Sequence, residues 1–385
     1  MRKYFGRGWL RKVYSAVCEY ALRWLAVLPA KKNKVVFDNF GGRGFGCDPK
    51  YIALELLRSE EALDLVWLAR DLTEEFPPGI RPVKYGGARA LYELATAGVW
   101  VDNFKSAMRV TKKEEQYYIQ TWHSSLGLKK NERDAAQLDR SYVKRARKDA
   151  AATDLMYSNN GFREEKYRKR FWYNGEVLRC GHPRNAVLMR PPEAVRNMVR
   201  GAYGLEADTR ILLYAPTFRS RADREVYRFC AGPCLKACEK RFGGKYVCFE
   251  RLHPNVADLV SEAEEGDRVR EVTDYPDMQE LMAAADILVT DYSGSMFEFM
   301  LTGKPVFLLA KDLNEYVEEE RELYFSFDEL PFPAARSEEE LACRILSFDA
   351  GKYREECRDF MERTDMREDG RGAEVIAHII LEKIK

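Results

Sequence analysis

Histidine is scarce in this chain, with four in 385 residues, at positions 123, 182, 253 and 378. Charge of one sign is not in excess either: 63 Lys plus Arg meet 62 Asp plus Glu, which excludes a uniformly basic nucleic-acid coat. Nine cysteines fall in no paired spacing, which excludes a disulfide framework and reads as a reducing compartment. Cys230, Cys234 and Cys238 step by four along one helical stripe with no fourth ligand nearby, so they read as small buried hydrophobes rather than a zinc site. No apolar run approaches the roughly 20 residues of a spanning helix, and there is no unbroken signal-peptide core. Tandem repeats and low-complexity tracts are missing as well. What remains is a globular, soluble or peripheral chain with 46% hydrophobic and 32% charged residues, long enough for two or three domains.

The first 34 residues carry nine bases against one acid, Glu19, and interleave Trp9, Leu10, Val13, Val17, Tyr20, Trp24, Leu25 and Leu28. This spacing predicts an amphipathic helix with cationic edges. Such a helix can lie on anionic lipid, gaining apolar burial plus about 1 kcal/mol per cation near the surface. It can equally be an ordinary first helix packed on the body.

Downstream, short apolar runs alternate with amphipathic stretches. Strands are predicted at 34–40, 65–68, 99–101 and 117–120, with helices at 49–58 and 89–97 and a glycine loop at 41–46. After Pro191-Pro192 the pattern restarts, with strands at 211–214, 246–249, 269–272, 286–290 and 305–309 and helices at 233–242, 278–285 and 295–301. The fold class is therefore α/β, as two Rossmann-like doubly wound domains around an interdomain cleft. The expected division is 1–34, 35–190, 191–365 and 366–385, whose last helix, 372–384, packs across the body. Residues 311–340, with eleven acids and three bases, read as a solvated face or linker without chemistry.

Two histidines follow predicted strands, one in each half: Thr121-Trp122-His123 and Arg251-Leu252-His253-Pro254. Strand ends in such folds point into the cleft, so the pair suits a general base facing a phosphate-stabilising partner. The strand 286–290 ends in Asp291-Tyr292-Ser293-Gly294-Ser295, where hydroxyls and helix-start amides suit phosphate oxygens; Ser293 or Ser295 can also simply cap the helix. Tyr214-Ala215-Pro216-Thr217-Phe218-Arg219 ends another strand, and Arg219 and Arg251 would offset a pyrophosphate. The glycine loop lacks the Gly-Lys-Ser/Thr ending of a P-loop. Between 129 and 170, thirteen bases face seven acids, which suggests anionic lipid or a polyanionic acceptor; no nucleic-acid module accompanies them, and a plain solvated helix fits too.

Five ordered motifs carry a resemblance: Thr121-Trp122-His123-Ser124-Ser125-Leu126-Gly127-Leu128-Lys129-Lys130, Gly181-His182-Pro183-Arg184-Asn185, Ala215-Pro216-Thr217-Phe218-Arg219, Arg251-Leu252-His253-Pro254 and Thr290-Asp291-Tyr292-Ser293. With Pro49-Lys50-Tyr51 before them and Asp369-Gly370 after, the chain from about residue 35 onward resembles the CDP-glycerol glycerophosphotransferases, the teichoic acid primases and polymerases. The resemblance implies a GT-B-like fold. It also implies a CDP-glycerol or other CDP-alditol donor in the carboxyl-terminal half and a lipid-linked glycan acceptor at the amino-terminal half. In that reading His123 takes the acceptor proton, while His253, Arg219 and the Ser293–Ser295 turn stabilise departing CMP. Arg251, Thr217, Asp291, Ser125 and Arg184 line the site, and no metal or other cofactor is required. The expected location is the cytoplasmic face of a bacterial membrane, held peripherally on its anionic surface, with no nucleic acid partner.

Three positions depart from the family pattern: Ser124 replaces a glycine, Ala186 an aspartate, and Gly294 the second serine of the phosphate turn. These bear on acceptor or alditol preference. Two other readings stand beside the transferase, a GT-B glycosyltransferase with a nucleotide-sugar donor and a non-catalytic, membrane-associated polyanion-binding protein.

Overall fold

The computed structural model describes residues 5–25, 27–105, 111–219, 226–252, 268–319 and 321–385. The chain opens with helix α1 (Phe5–Leu25), then strand β1 (Lys31–Asp38), helix α2 (Cys47–Leu56), β2 (Asp64–Ala69), β3 (Ile80–Lys84), helix α3 (Ala88–Thr96), β4 (Ala97–Asp102) and β5 (Tyr117–Gln120). These strands pair in the order β3-β2-β1-β4-β5, all parallel. Val35, Phe37, Trp67 and Val101 are fully buried, as expected where helices cover both faces of a parallel sheet. Helices α4 (Arg140–Ala152) and α5 (Gly161–Arg170) follow, with β6 (Met156–Ser158) and β7 (Val177–Arg179) pairing beside β5 through a bridge from Ile119 to Leu155.

The second sheet runs β10-β9-β8-β11-β12-β13, again all parallel. Its strands are β8 (Arg210–Tyr214), β9 (Tyr246–Glu250), β10 (Val269–Glu271), β11 (Ile287–Thr290), β12 (Val306–Leu309) and β13 (Ala334–Ala335). In both sheets the order reverses next to the first strand of the half, the switch point at which α/β folds open a crevice at the strand carboxyl ends. The last helix, Gly372–Ile384, returns to the first sheet, where Ile376, Ala377 and Ile380 join the core of Val35, Ile52 and Ile119. Two Rossmann-like lobes with a terminal helix crossing back form the expected GT-B-like architecture.

Sequence reading missed β3, β6, β7 and β13. Pro82 sits inside β3, which is tolerated because β3 is an edge strand and the missing N–H interrupts no ladder. The other three are two or three residues long, too short to show alternation. The acidic stretch 311–340 is also not all solvated: Asp312 reaches into the second lobe and bonds Arg219, and Tyr316 is buried. A buried cation needs a carboxylate, and this stretch supplies it.

Polar contacts join the lobes. Lys50 Nζ on α2 lies 2.6 Å from both Asp277 and Glu280, and Tyr51 donates to the same Asp277 at 3.1 Å. Arg184 is 1% exposed and bonds Asp48 on α2 at 2.6 Å and Glu298 of the second lobe at 2.7 Å. Burial pushes the Asp48 carboxyl up, but Arg184 and His182 outweigh it and hold the group below its ordinary value. Leu128 accepts from Tyr324 N–H at 2.8 Å, so the loop after β5 is tied directly to the second lobe.

Candidate active site

His123 follows β5 on a strained loop. Trp122, immediately before it, has φ 56° and Phe40, whose ring lies 5.3 Å away, has φ 46°. Left-handed backbone at bulky residues persists where the surroundings enforce it, and such positions concentrate at functional sites. The imidazole stacks on Trp122 at 4.3 Å and its Nδ1 lies 2.9 Å from the carbonyl oxygen of Asn103. A carbonyl only accepts, so Nδ1 carries the hydrogen and Nε2 the lone pair. Asn103 is itself fixed, accepting from Phe40 N–H at 2.8 Å and donating to Asn39 at 2.6 Å. Nε2 meets no hydrogen-bond partner among the described residues. Burial, with Arg184, Arg163 and Lys105 nearby, pushes the imidazole pKa down to about 4 against the weaker upward pull of the Asn103 carbonyl. The ring is therefore neutral at pH 7, the state a proton acceptor requires.

The residues after His123 reach the second lobe. Gly127 has φ 76°, and a Cβ there would sit 2.0 Å from Arg163 Nη2, so only glycine fits. A Cβ on Gly294 would lie 3.7 Å from Gly127 Cα and 3.9 Å from Ser124 Cβ. The loop after β5 and the Ser293-Gly294-Ser295 turn therefore touch across the lobe boundary. Within the turn Ser295 Oγ lies 2.9 Å from Ser293 Oγ and Ser295 N–H donates to the latter at 3.3 Å. The helix it opens, Ser295–Phe299, is short and passes into a 3-10 turn at Met300–Thr302 rather than reaching 301 as one helix.

Asp291 organises the rest of that lobe's strand ends. Its carboxylate accepts from Thr217 N–H at 2.8 Å, Tyr292 N–H at 2.5 Å and Arg219 Nη1 at 2.7 Å. Arg219, expected to meet pyrophosphate, is 4% exposed and also bonds Asp312 at 2.7 and 2.9 Å. Its charge is cancelled by two carboxylates, so here it braces the loops after β8 and β11. Arg184 is engaged the same way by Asp48 and Glu298. Arg251 differs: it donates to the carbonyl oxygens of Tyr275 at 2.6 Å and Val272 at 3.3 Å. Two buried hydroxyls, Ser125 Oγ and Thr217 Oγ1, have no partner among the described residues. His253 lies outside the described residues.

Sequence reasoning overlooked Asn103, Gly127 as a packing glycine, and Arg163. Asn103 follows β4 as the other strand-end candidates follow theirs, which was the available signal. Arg163 was visible only as one base among thirteen.

Residues 20–382 match the CDP-glycerol:poly(glycerophosphate) glycerophosphotransferase family. The chain belongs to that family. Among glycerophosphotransferase relatives, it is 27% identical over 369 residues to a teichoic acid poly(glycerol phosphate) polymerase of Staphylococcus epidermidis, covering 92% of this chain and 51% of that one. It is likewise 27% identical over 372 residues to a teichoic acid glycerol-phosphate transferase of Staphylococcus aureus, covering 92% of this chain and 94% of that one. The chain thus spans about half the length of the first and nearly all of the second. Among solved structures, the wall teichoic acid polymerase TagF superimposes with a TM-score of 0.82 at 28% identity, over 98% of this chain and 97% of that one.

Proposed function

We propose that this glycerophosphotransferase moves glycerol phosphate, or a related alditol phosphate, from a CDP-alditol to a hydroxyl of a lipid-linked glycan or teichoic or capsular polymer, releasing CMP. One observation carries the reading: His123, its Nδ1–H held by Asn103, presents a neutral ring whose loop abuts the serine turn of the other lobe. The acceptor hydroxyl oxygen attacks the β-phosphorus and its proton passes to Nε2. The bond from that phosphorus to the bridging oxygen breaks, and CMP leaves with the electron pair. A positioned base is worth about 10² to 10⁴ in rate, roughly 3 to 5 kcal/mol of barrier. Electrostatic positioning supplies the remainder, through the Ser293–Ser295 turn, the buried hydroxyls of Ser125 and Thr217 that have no partner among the described residues, and Arg251. His253 joins them as the second imidazole of the reading.

The test offers CDP-glycerol and CDP-ribitol with a lipid-linked saccharide, in EDTA, and reads CMP and product mass. CMP release that persists in EDTA and collapses in His123→Ala supports the assignment, while UDP or GDP release from nucleotide sugars instead would overturn it.

We also propose that α1 seats the enzyme on the anionic cytoplasmic face of a bacterial membrane. No helix among the described residues is long and apolar enough to cross one. Cys18 and Leu22 pack inward with Leu94 of α3, whereas Val13, Val17, Tyr20, Trp24 and Val27 form an exposed apolar row, Trp24 at 68% exposure and Val27 at 86%. Lys12 and Arg23 flank it, and Lys148 of α4 reaches Glu19 at 2.9 Å. Sedimentation with phosphatidylserine vesicles, lost in Val17→Asp with Trp24→Glu, tests this; unchanged sedimentation refutes it.

A further inference from the structure

Four arginines stand around the site, and they are held in two ways. Arg184 and Arg219 each face two carboxylates. Arg163, on α5, is 0% exposed yet has no carboxylate bonded to it among the described residues. Its Nε donates to Ser125 O at 3.3 Å, its Nη2 donates to Leu126 O and to Ser124 Oγ at 3.3 Å, and its Nη1 has no partner among the described residues. Tyr167 and Phe171 cover the guanidinium, 5.7 and 6.0 Å from their ring centres. Burying a cation without a counter-charge is costly, and a fold that only needed the loop tied down could use a neutral donor.

We propose that Arg163 is a positioning residue for the transfer reaction: it clamps the loop that carries His123 and keeps an unbalanced positive charge directly behind it, which the donor diphosphate neutralises on binding. The inference rests on the function proposed above. The charged groups that act on the ring are Arg184 first, then Arg163 and Lys105, and of these only Arg163 has no carboxylate partner among the described residues. Lys105, beyond β4, is paired with Glu132 at 2.7 Å, and Arg184 with Asp48 and Glu298. Glu132 also acts on Arg163, but its two oxygens are taken by Lys105 and by the Tyr142 hydroxyl. Among the described residues the ring also meets Phe40, Trp122 and the Asn103 carbonyl, none of which is charged. Burial holds the Arg163 guanidinium below its ordinary pKa, and burial first, then the cations Arg184, Arg163 and Lys105, hold the imidazole down to about 4. A bound diphosphate reverses the field at the ring and raises its proton affinity as the acceptor hydroxyl arrives.

With only four histidines, carbon-13-labelled imidazoles resolve individually in the full chain. At pH 5 the wild-type His123 ring is expected to be neutral, the Arg163→Gln ring about half protonated after an upward shift of about one unit, and the Arg163→Lys ring neutral like wild type. In CMP release from CDP-glycerol, the acid limb of kcat/KM moves up by about the same unit in Arg163→Gln and stays in place in Arg163→Lys, whatever either variant loses in kcat. Equal protonation of His123 in wild type and Arg163→Gln, or an equal shift in both variants, overturns the proposal. Because the ring titration needs no turnover, it decides the role of Arg163 even if no CDP-alditol proves to be a donor.

Discussion

The two strand-end loops that meet at the lobe boundary are built on opposite electrostatic plans. The second-lobe loops close around Asp291, Arg219 and Asp312, where one cation faces two anions. The first-lobe loop of residues 123–128 closes around Arg163, a cation bonded, among the described residues, only to neutral oxygens. Carboxylate pairing makes a rigid brace that carries no net attraction for an anion. Carbonyl pairing leaves the charge available to a ligand at some cost in stability. On the proposed function, the positive field for a diphosphate is assigned to Arg163 and Arg251, which bond neutral oxygens, while Arg219 and Arg184, paired with carboxylates, hold the frame.

The largest expected effect tests the premise of that contrast. His123→Ala lowers kcat for CMP release by about 10² to 10⁴ while thermal unfolding stays within a few degrees of wild type. Next, the brace should be worth far more to stability than the naked cation. Arg219→Met leaves the buried Asp291 and the partly buried Asp312 without their partner and is expected to cost about 3–5 kcal/mol in denaturant unfolding. Arg163→Met should cost clearly less, and equal losses would erase the distinction.

Acid titration sharpens the comparison further. Burial raises the Asp312 carboxyl, but Arg219 and the Tyr292 hydroxyl bring it below its ordinary value. A depressed folded value means stability that is complete above the unfolded carboxylate range and lost as pH falls through that range toward the folded value. Asp312→Asn should therefore flatten the acid arm of the stability curve below about pH 4, without changing its slope near pH 7. The smallest effect is expected at Gly294→Ser. Its φ is −63° and an added Cβ finds ordinary van der Waals contacts, so expression, melting temperature and activity should stay near wild type. A large loss there would mean the lobes approach more closely in turnover than in this structure.

Much of the architecture was legible because buried parallel strands announce themselves as short apolar runs. β5 and the terminal helix at Gly372–Ile384 were read to the residue, whereas the proline-bearing edge strand β3 was not. Of the site, the residue types at strand ends were readable, since strand ends in this fold class face a crevice. Their engagements were not. Asp312 lies 93 residues from Arg219, in a stretch whose composition looks like solvated surface, and nothing local marks it as a counter-ion.

The sequence by itself determined the two-lobed α/β class, the family, and which side chains stand at the strand ends, because hydrophobic period and motif order are local properties. Which arginines are neutralised, and which nitrogen of His123 carries the hydrogen, was settled by tertiary contacts. Both depend on distances between oxygens and nitrogens from segments far apart in the chain, and charge balance in a low-dielectric interior is set by those distances rather than by composition.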